Sequence, residues 1–304
     1  MGKKAFLFPG QGSQSVGMAK DLFDKSVEAK EMMKTAEEAV GFPLTHIMFN
    51  GPEESLKQTD VTQPAIFLHS VVLSSILRTI QPDATAGHSL GEYSALVAAG
   101  AVQFHEAVKL VHLRGKSMLD AGKINPGTMA AVIGMDSKTI EDICEKASAV
   151  GIVQCANFNS PGQIVISGSV EGVHEAMKLA KSEGAKLVKE LVVSGAFHSP
   201  LMQPAAESLK AKLSNTPFYD SKVPVYANVT AKPVSKASDF KDLLFAQLNA
   251  PVRWEETITN MVNDGFDEFI EIGPGKVLQG LVKRINKNVQ ISGIEKYEDV
   301  ERFL

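Results

Sequence analysis

Gly87-His-Ser-Leu-Gly91 matches G-x-S-x-G, a pattern suited to nucleophilic catalysis. Its glycines permit a sharp strand-to-helix turn that leaves the Ser89 hydroxyl exposed. The helix start that follows offers backbone N–H groups, that of Leu90 among them, to a developing oxyanion. The context agrees, because Ala84-Thr-Ala86 is a short strand candidate and Leu90–Ala99 is a helical stretch stopped by Gly100. No second G-x-S-x-G occurs; Ser15 has Gly17 after it but Ser13 where a glycine is needed. A plain strand–turn–helix junction is the competing reading of the same five residues.

An activated serine needs a base, and the chain has seven histidines. His88 adjoins the serine and points elsewhere on the turn. His105 and His112 fall in a helical stretch, and His46, His69 and His174 have no supporting motif. His198 stands out, in Gly195-Ala-Phe-His-Ser-Pro200 directly after the strand-like Lys186–Val193. An ordinary α/β-hydrolase runs Ser, acid, His, with the histidine near the end of the fold. Here no histidine follows His198, so the base must come from the middle of the chain.

The elements that would position these groups alternate strand and helix. Lys4–Phe8 reads as a buried strand cut by Pro9-Gly10. Helices are expected over about 18–40 and 62–80, then over Leu90–Ala99 and from His105 to about Leu119. That rhythm predicts a parallel α/β sheet. After Asn125-Pro-Gly127 the order changes to Met129–Gly134 strand, Lys138–Val150 helix, Ile152–Asn157 and Gln163–Ser167 strands, Glu171–Ser182 helix and Lys186–Val193 strand. This is βαββαβ, the ferredoxin-like pattern. Strand-like Val223–Val229, Phe266–Ile272 and Val289–Ile294 then alternate with helix-like Lys241–Leu248, Glu255–Asn263 and Lys276–Ile285. The expected organisation is a discontinuous large α/β domain, 1–124 with 196–304, and a small subdomain, 125–195, with a cleft between them.

Composition narrows the class. With 304 residues, 44% hydrophobic and 22% charged, the chain is neither disordered nor collagenous. A net charge of -4 gives no bulk attraction to nucleic acid or anionic lipid. Cys144 and Cys155 build no disulfide framework and fit no zinc spacing, so a reducing cytoplasm is expected. The apolar run before Pro9 is too short for a signal-peptide core. Ala65–Ile80 is broken by His69, Ser70, Ser74, Ser75 and Arg78, and reads as a buried helix, not a membrane span.

Further marks join the elbow in order: Phe8-Pro-Gly-Gln-Gly-Ser13, Gln63-Pro-Ala65, Gly87-His-Ser-Leu-Gly-Glu-Tyr93, Arg114-Gly115, Asn159-Ser-Pro-Gly-Gln163, Phe197-His198 and Glu271-Ile-Gly-Pro-Gly275. Over nearly the whole length this chain resembles the malonyl-CoA:acyl carrier protein transacylases of type II fatty acid synthesis. The resemblance implies an α/β-hydrolase-like core with a ferredoxin-like insertion. It implies Ser89 as nucleophile and His198 as base in a dyad, with the imidazole oriented by the backbone carbonyl of Gln247. Gln11 and Leu90 would supply the oxyanion N–H groups. Arg114 would bind the malonyl carboxylate, for which a guanidinium fork is suited; a helix-surface arginine is the alternative. Gln63 joins the implied substrate-binding set, and Asn157 and Asn159 line the cleft by analogy, with hydrogen bonding inside a loop as the competing role. Phe197 matches the malonyl-preferring form of this loop in related polyketide acyltransferases. One departure, Val111-His-Leu-Arg114 where a basic residue commonly precedes the arginine, leaves the chemistry untouched.

The implied reaction moves malonyl from coenzyme A to the phosphopantetheine thiol of acyl carrier protein through malonyl-Ser89. Coenzyme A enters as a thioester substrate, and no metal or redox cofactor is expected, because Walker A, G-x-G-x-x-G and metal-spaced clusters are all missing from the sequence. The expected partners are malonyl-CoA and acyl carrier protein, with no nucleic acid or membrane, and the expected state is a monomer. Two alternatives stay open: a trans-acting malonyltransferase of a polyketide synthase, and a serine esterase or thioesterase, for which Arg114 would have no use. An acidic carrier needs a local basic patch. Lys181, Lys186 and Lys189 form one candidate, slightly favoured because their strand leads to His198; Lys283, Arg284 and Lys287 form the other.

Overall fold

The computed structural model describes residues 2–303. Met1 and Leu304, the extreme ends of the larger expected domain, lie outside the described residues. Ten strands build two sheets among the described residues: β1 (Lys3–Phe8), β2 (Ala84–Gly87), β3 (Thr128–Ile133), β4 (Val153–Ser160), β5 (Gln163–Gly168), β6 (Leu187–Glu190), β7 (Val225–Tyr226), β8 (Pro233–Val234), β9 (Phe266–Ile272) and β10 (Gln290–Ile294).

The first sheet runs β10-β9-β1-β2-β7-β8. Its strands pair in parallel except for the short antiparallel β7–β8 edge. Ala5–Phe8 and all of Ala84–Gly87 are buried, as expected of strands covered by helices on both faces. One face packs under helices Thr59–Ile76, Gly91–Ala98 and Phe104–Ile124, through Phe6, Phe8, Phe67, Leu96 and Val108. The other packs Ala5, Leu7, Ala84 and Ala86 against Trp254, Ile258, Leu278 and Val282, from helices Trp254–Asn263 and Val277–Ile285. In register, Phe8 of β1 lies beside Gly87 of β2, so the loops after both strands open at the same end of the sheet. In an open α/β sheet that end, between strands whose connections diverge, is where ligands bind.

The second sheet, β4-β5-β3-β6, is wholly antiparallel, and helices Ser137–Ala147 and Val170–Ser182 pack against it. Its βαββαβ order is the ferredoxin-like one. Strand β4 lies along the chain that leads into Trp254, with Val252 N–H donating to Ala156 O at 2.8 Å and Phe158 N–H to Val252 O at 2.9 Å.

Several expectations need correction. The strand over Val223–Val229 shrinks to Val225–Tyr226, because Asn228 turns its backbone toward other partners. Expected helix 18–40 is two helices, Lys20–Lys25 and Val27–Val40, divided at Ser26, whose side chain caps the second. The helix expected over 62–80 is Thr59–Ile76. Strand Lys186–Val193 covers only Leu187–Glu190. Helix Gln203–Asn215 was not read from the sequence; its apolar stripe is thin, with Ala205, Ala206, Leu209 and Leu213 as its buried residues. Among the described residues no helix is long and apolar enough to cross a membrane.

Candidate active site

The elbow is as tight as its glycines require. A Cβ on Gly87 would lie 1.9 Å from the Gly91 carbonyl carbon, and one on Gly91 would lie 2.0 Å from the Phe8 carbonyl oxygen. Ser89 between them has φ 52°, a left-handed conformation that costs a non-glycine residue about 1–3 kcal/mol. That turn, followed by helix Gly91–Ala98, brings the hydroxyl to the carboxyl end of β2.

His198 reaches it from the loop after β6. Its Nε2 lies 2.7 Å from Ser89 Oγ, and its Nδ1 lies 2.8 Å from the carbonyl oxygen of Gln247. A carbonyl can only accept, so Nδ1 carries the proton and Nε2 is free to accept the serine's. Gln154 of β4 ties the two loops together, its Nε2 donating to the carbonyls of His198 (2.8 Å) and Asn249 (3.1 Å). Burial, reinforced by the Arg114 charge, pushes His198 down to about 3. His198 is therefore unprotonated well below the usual imidazole range. The acid limb of kcat/KM should accordingly lie far below 6.5, with activity lost only as pH falls toward the depressed value. An NMR titration of the imidazole with its midpoint near 6.5 would contradict this.

Arg114 is 1% exposed, which removes the surface-arginine alternative. From helix Phe104–Ile124 its Nη1 donates to Gln63 Oε1 at 2.7 Å. Its Nη2 donates to Gln247 Oε1 at 3.0 Å and to Ser89 Oγ at 3.1 Å. The guanidinium lies over the Tyr93 ring, 5.6 Å from its centroid, and Nε has no partner among the described residues. A buried cation with an unused donor, touching Ser89 Oγ, is suited to a small anionic group.

Phe8–Gln11 lies against the elbow, with His88 N–H donating to Phe8 O at 3.0 Å and the Gly10 Cβ position only 2.5 Å from His88 O. The N–H groups of Gln11 and Leu90 have no hydrogen-bond partner among the described residues. Asn157 lies on β4, within the strand expected over Ile152–Asn157, and Asn159 lies on it too, because β4 runs on to Ser160. Asn159 Oδ1 accepts from His88 Nε2 at 2.8 Å, which also accounts for His88 facing away from the serine. Phe197 is buried beside His198.

Two buried residues were missed. Glu92 accepts from Gln247 Nε2 at 2.8 Å and from Asn228 N–H at 2.9 Å, and burial pushes its pKa up to about 7. Asn228 binds both sides of the elbow. Glu92 could have been suspected from its place in the elbow motif. Asn228 carries no local signal, since its side-chain partners lie 139 and 141 residues away.

This geometry has close counterparts. The acyl transferase domain model matches residues 5–301. A malonyl CoA-acyl carrier protein transacylase of Bacillus subtilis is 46% identical over 304 residues, covering 99% of this chain and 96% of its own. The chain belongs to the malonyl CoA-acyl carrier protein transacylase family. An enzyme of that name from Staphylococcus aureus is 43% identical, with 99% of this chain and 98% of its own covered. The crystal structure of an acyl carrier protein S-malonyltransferase from Vibrio cholerae superposes with a TM-score of 0.95 at 41% identity, over 99% of this chain and all of the other. A malonyl-transacylase in complex with its type II polyketide synthase acyl carrier protein superposes with a TM-score of 0.94 at 39% identity, over 99% of each chain. The parallel sheet, the antiparallel insertion and the acyltransferase class are thus shared across this family's length.

Proposed function

We propose that this acyltransferase moves malonyl from malonyl-CoA to the phosphopantetheine thiol of acyl carrier protein. The observation that carries the reading is a fully buried Arg114 whose guanidinium touches Ser89 Oγ inside a Ser–His pair. Ser89 Oγ attacks the thioester carbonyl while His198 Nε2 takes its proton. The oxyanion is held by the N–H groups of Gln11 and Leu90, and Gln247 O steadies the imidazolium. Collapse breaks the C–S bond, and the proton passes from His198 to the departing coenzyme A sulfur. The carrier thiol then attacks malonyl-Ser89 by the same steps, with His198 again as base. The malonyl carboxylate sits on Arg114, which Gln63 and Gln247 hold in place, and Phe197, Asn157 and Asn159 line the acyl cleft. Residues 1–124 with 196–304 form the catalytic domain and 125–195 the small one, in a monomeric cytoplasmic protein.

Incubation with radiolabelled malonyl-CoA tests this. Label should accumulate on Ser89 and leave on addition of holo carrier protein; label released to water instead would point to an esterase. A carrier from a type II polyketide synthase is a second reading, favoured by the solved complex of a relative with such a carrier.

For carrier docking, the Lys283, Arg284 and Lys287 patch has the better support. All three are exposed on or just past helix Val277–Ile285, and Arg284 donates to Gln163 at the start of β5, which pairs with Ser160 at the end of β4. Lys189 lies on β6, three strands from β4, or about 14 Å at ordinary strand spacing. Reversing the charges of Lys283 and Lys287 should raise KM for carrier protein and leave that for malonyl-CoA unchanged. The effect should fade with salt, because exposed charges are screened beyond about 8–10 Å. Equal losses for both substrates would remove the patch from docking.

A further inference from the structure

Asn228 lies two residues beyond β7 and is fully buried. Its Oδ1 accepts from the Ser89 N–H at 2.7 Å, and its Nδ2 donates to the Gly87 carbonyl at 2.6 Å. One amide thus grips the elbow on both sides of His88. Its backbone is committed as well: its N–H donates to Glu92 Oε2 at 2.9 Å, and its carbonyl accepts from Arg253 N–H at 3.1 Å. Glu92 in turn accepts from the Gln247 side chain, whose Oε1 accepts from Arg114. A ring of hydrogen bonds therefore runs from the elbow through Asn228, Glu92, Gln247 and Arg114 back to Ser89 Oγ.

We infer that Asn228 is a positioning residue that clamps the nucleophile elbow in its left-handed turn, taking the Ser89 N–H out of use so that only Leu90 and Gln11 N–H groups face the oxyanion. Three observations support this. Ser89 at φ 52° holds a conformation that its own backbone disfavours, so an outside restraint is needed. The two ends of the Asn228 amide bond peptide groups two residues apart, the oxygen accepting from Ser89 N–H and the nitrogen donating to Gly87 O, a division of roles fixed by the chemistry of the amide. The bonded N–H belongs to the nucleophile, whereas the next N–H along the chain is left without a partner among the described residues. The bond to Glu92 comes from the Asn228 backbone N–H, not from the clamping amide, so the support of Gln247 and Arg114 does not depend on the side chain.

The inference rests on Ser89 being the nucleophile, and its test separates the two. Asn228→Ala and Asn228→Asp, checked for folding by near-ultraviolet circular dichroism, are assayed for the single-turnover rate of Ser89 malonylation and for steady-state kcat and KM. The Asp variant keeps an acceptor for the Ser89 N–H and loses the donor to Gly87. Displacing a reacting group by about 1 Å costs around 100-fold, so acylation and kcat should fall by about that factor in Asn228→Ala and by less in Asn228→Asp. KM for malonyl-CoA should stay unchanged, because Arg114 keeps Gln63. A folded Asn228→Ala enzyme with wild-type kcat, or one altered only in KM, overturns the inference. If neither variant folds, amide hydrogen exchange in the wild-type enzyme decides: the Ser89 N–H should be protected and the Leu90 N–H fast, and a fast Ser89 amide overturns the clamp. A wild-type enzyme with a protected Ser89 amide but no malonyl on that serine would sink the functional reading and leave the clamp standing.

Discussion

Ser89→Ala should form no malonyl-enzyme and should lose transfer activity by up to roughly a millionfold, the scale seen when a covalent nucleophile is removed. The loss should be one of chemistry and not of folding. Alanine meets the same backbone restraint at φ 52°, and Asn228 still accepts from its N–H. His198 keeps its bond to Gln247 O, and Arg114 keeps Gln63 and Gln247. The melting temperature should therefore stay close to wild type while the label disappears. Mass spectrometry of the protein after malonyl-CoA treatment is the check. A stable acyl adduct on the alanine variant would place the nucleophile elsewhere.

Arg114→Ala should lose malonyl transfer far more than acetyl transfer. Removing one partner of a buried ion pair costs about 3–5 kcal/mol, or a few hundredfold and more in rate, and acetyl has no carboxylate to miss the guanidinium. The ratio of rates with the two acyl-CoA substrates is the readout, and an unchanged ratio would exclude Arg114 from carboxylate binding. The same variant carries a pH signature. Burial lowers His198 first and the Arg114 charge lowers it further, so deleting the charge lets His198 rise toward 6.5. A base with a raised pKa is protonated sooner on acidification, so the acid limb for acetyl transfer should move to higher pH than in the wild-type enzyme. Malonyl itself should act in the same sense, because its carboxylate neutralises Arg114 and makes His198 a stronger base.

Local sequence determined much of the fold by itself. The period of β9, Phe266–Ile272, and the elbow between β2 and helix Gly91–Ala98 rest on apolar runs and on glycines that nothing else could replace. The βαββαβ order of the insertion follows from its alternation of short strands and amphipathic helices. Residue chemistry alone marked Ser89, and the break with hydrolase order pointed the search for a base to mid-chain. Local pattern failed where packing decided. Helix Gln203–Asn215 has a weak apolar stripe, and β7 is cut to two residues because Asn228 serves the elbow instead of a neighbouring strand.

Function-bearing geometry was decided only in three dimensions, because its bonds cross long stretches of chain. The Ser89–His198 contact spans 109 residues and the Gln247–Glu92 contact 155. Arg114 reads the same in sequence whether it faces solvent or the serine; only the fold buries it against Gln63 and Tyr93, beside Ser89 Oγ. Removal from solvent in that interior also sets the protonation states, holding His198 neutral and lifting Glu92 to about 7. Sequence supplies the groups and their local turns, while desolvation and the distances between remote groups belong to the tertiary structure, and the chemistry depends on both.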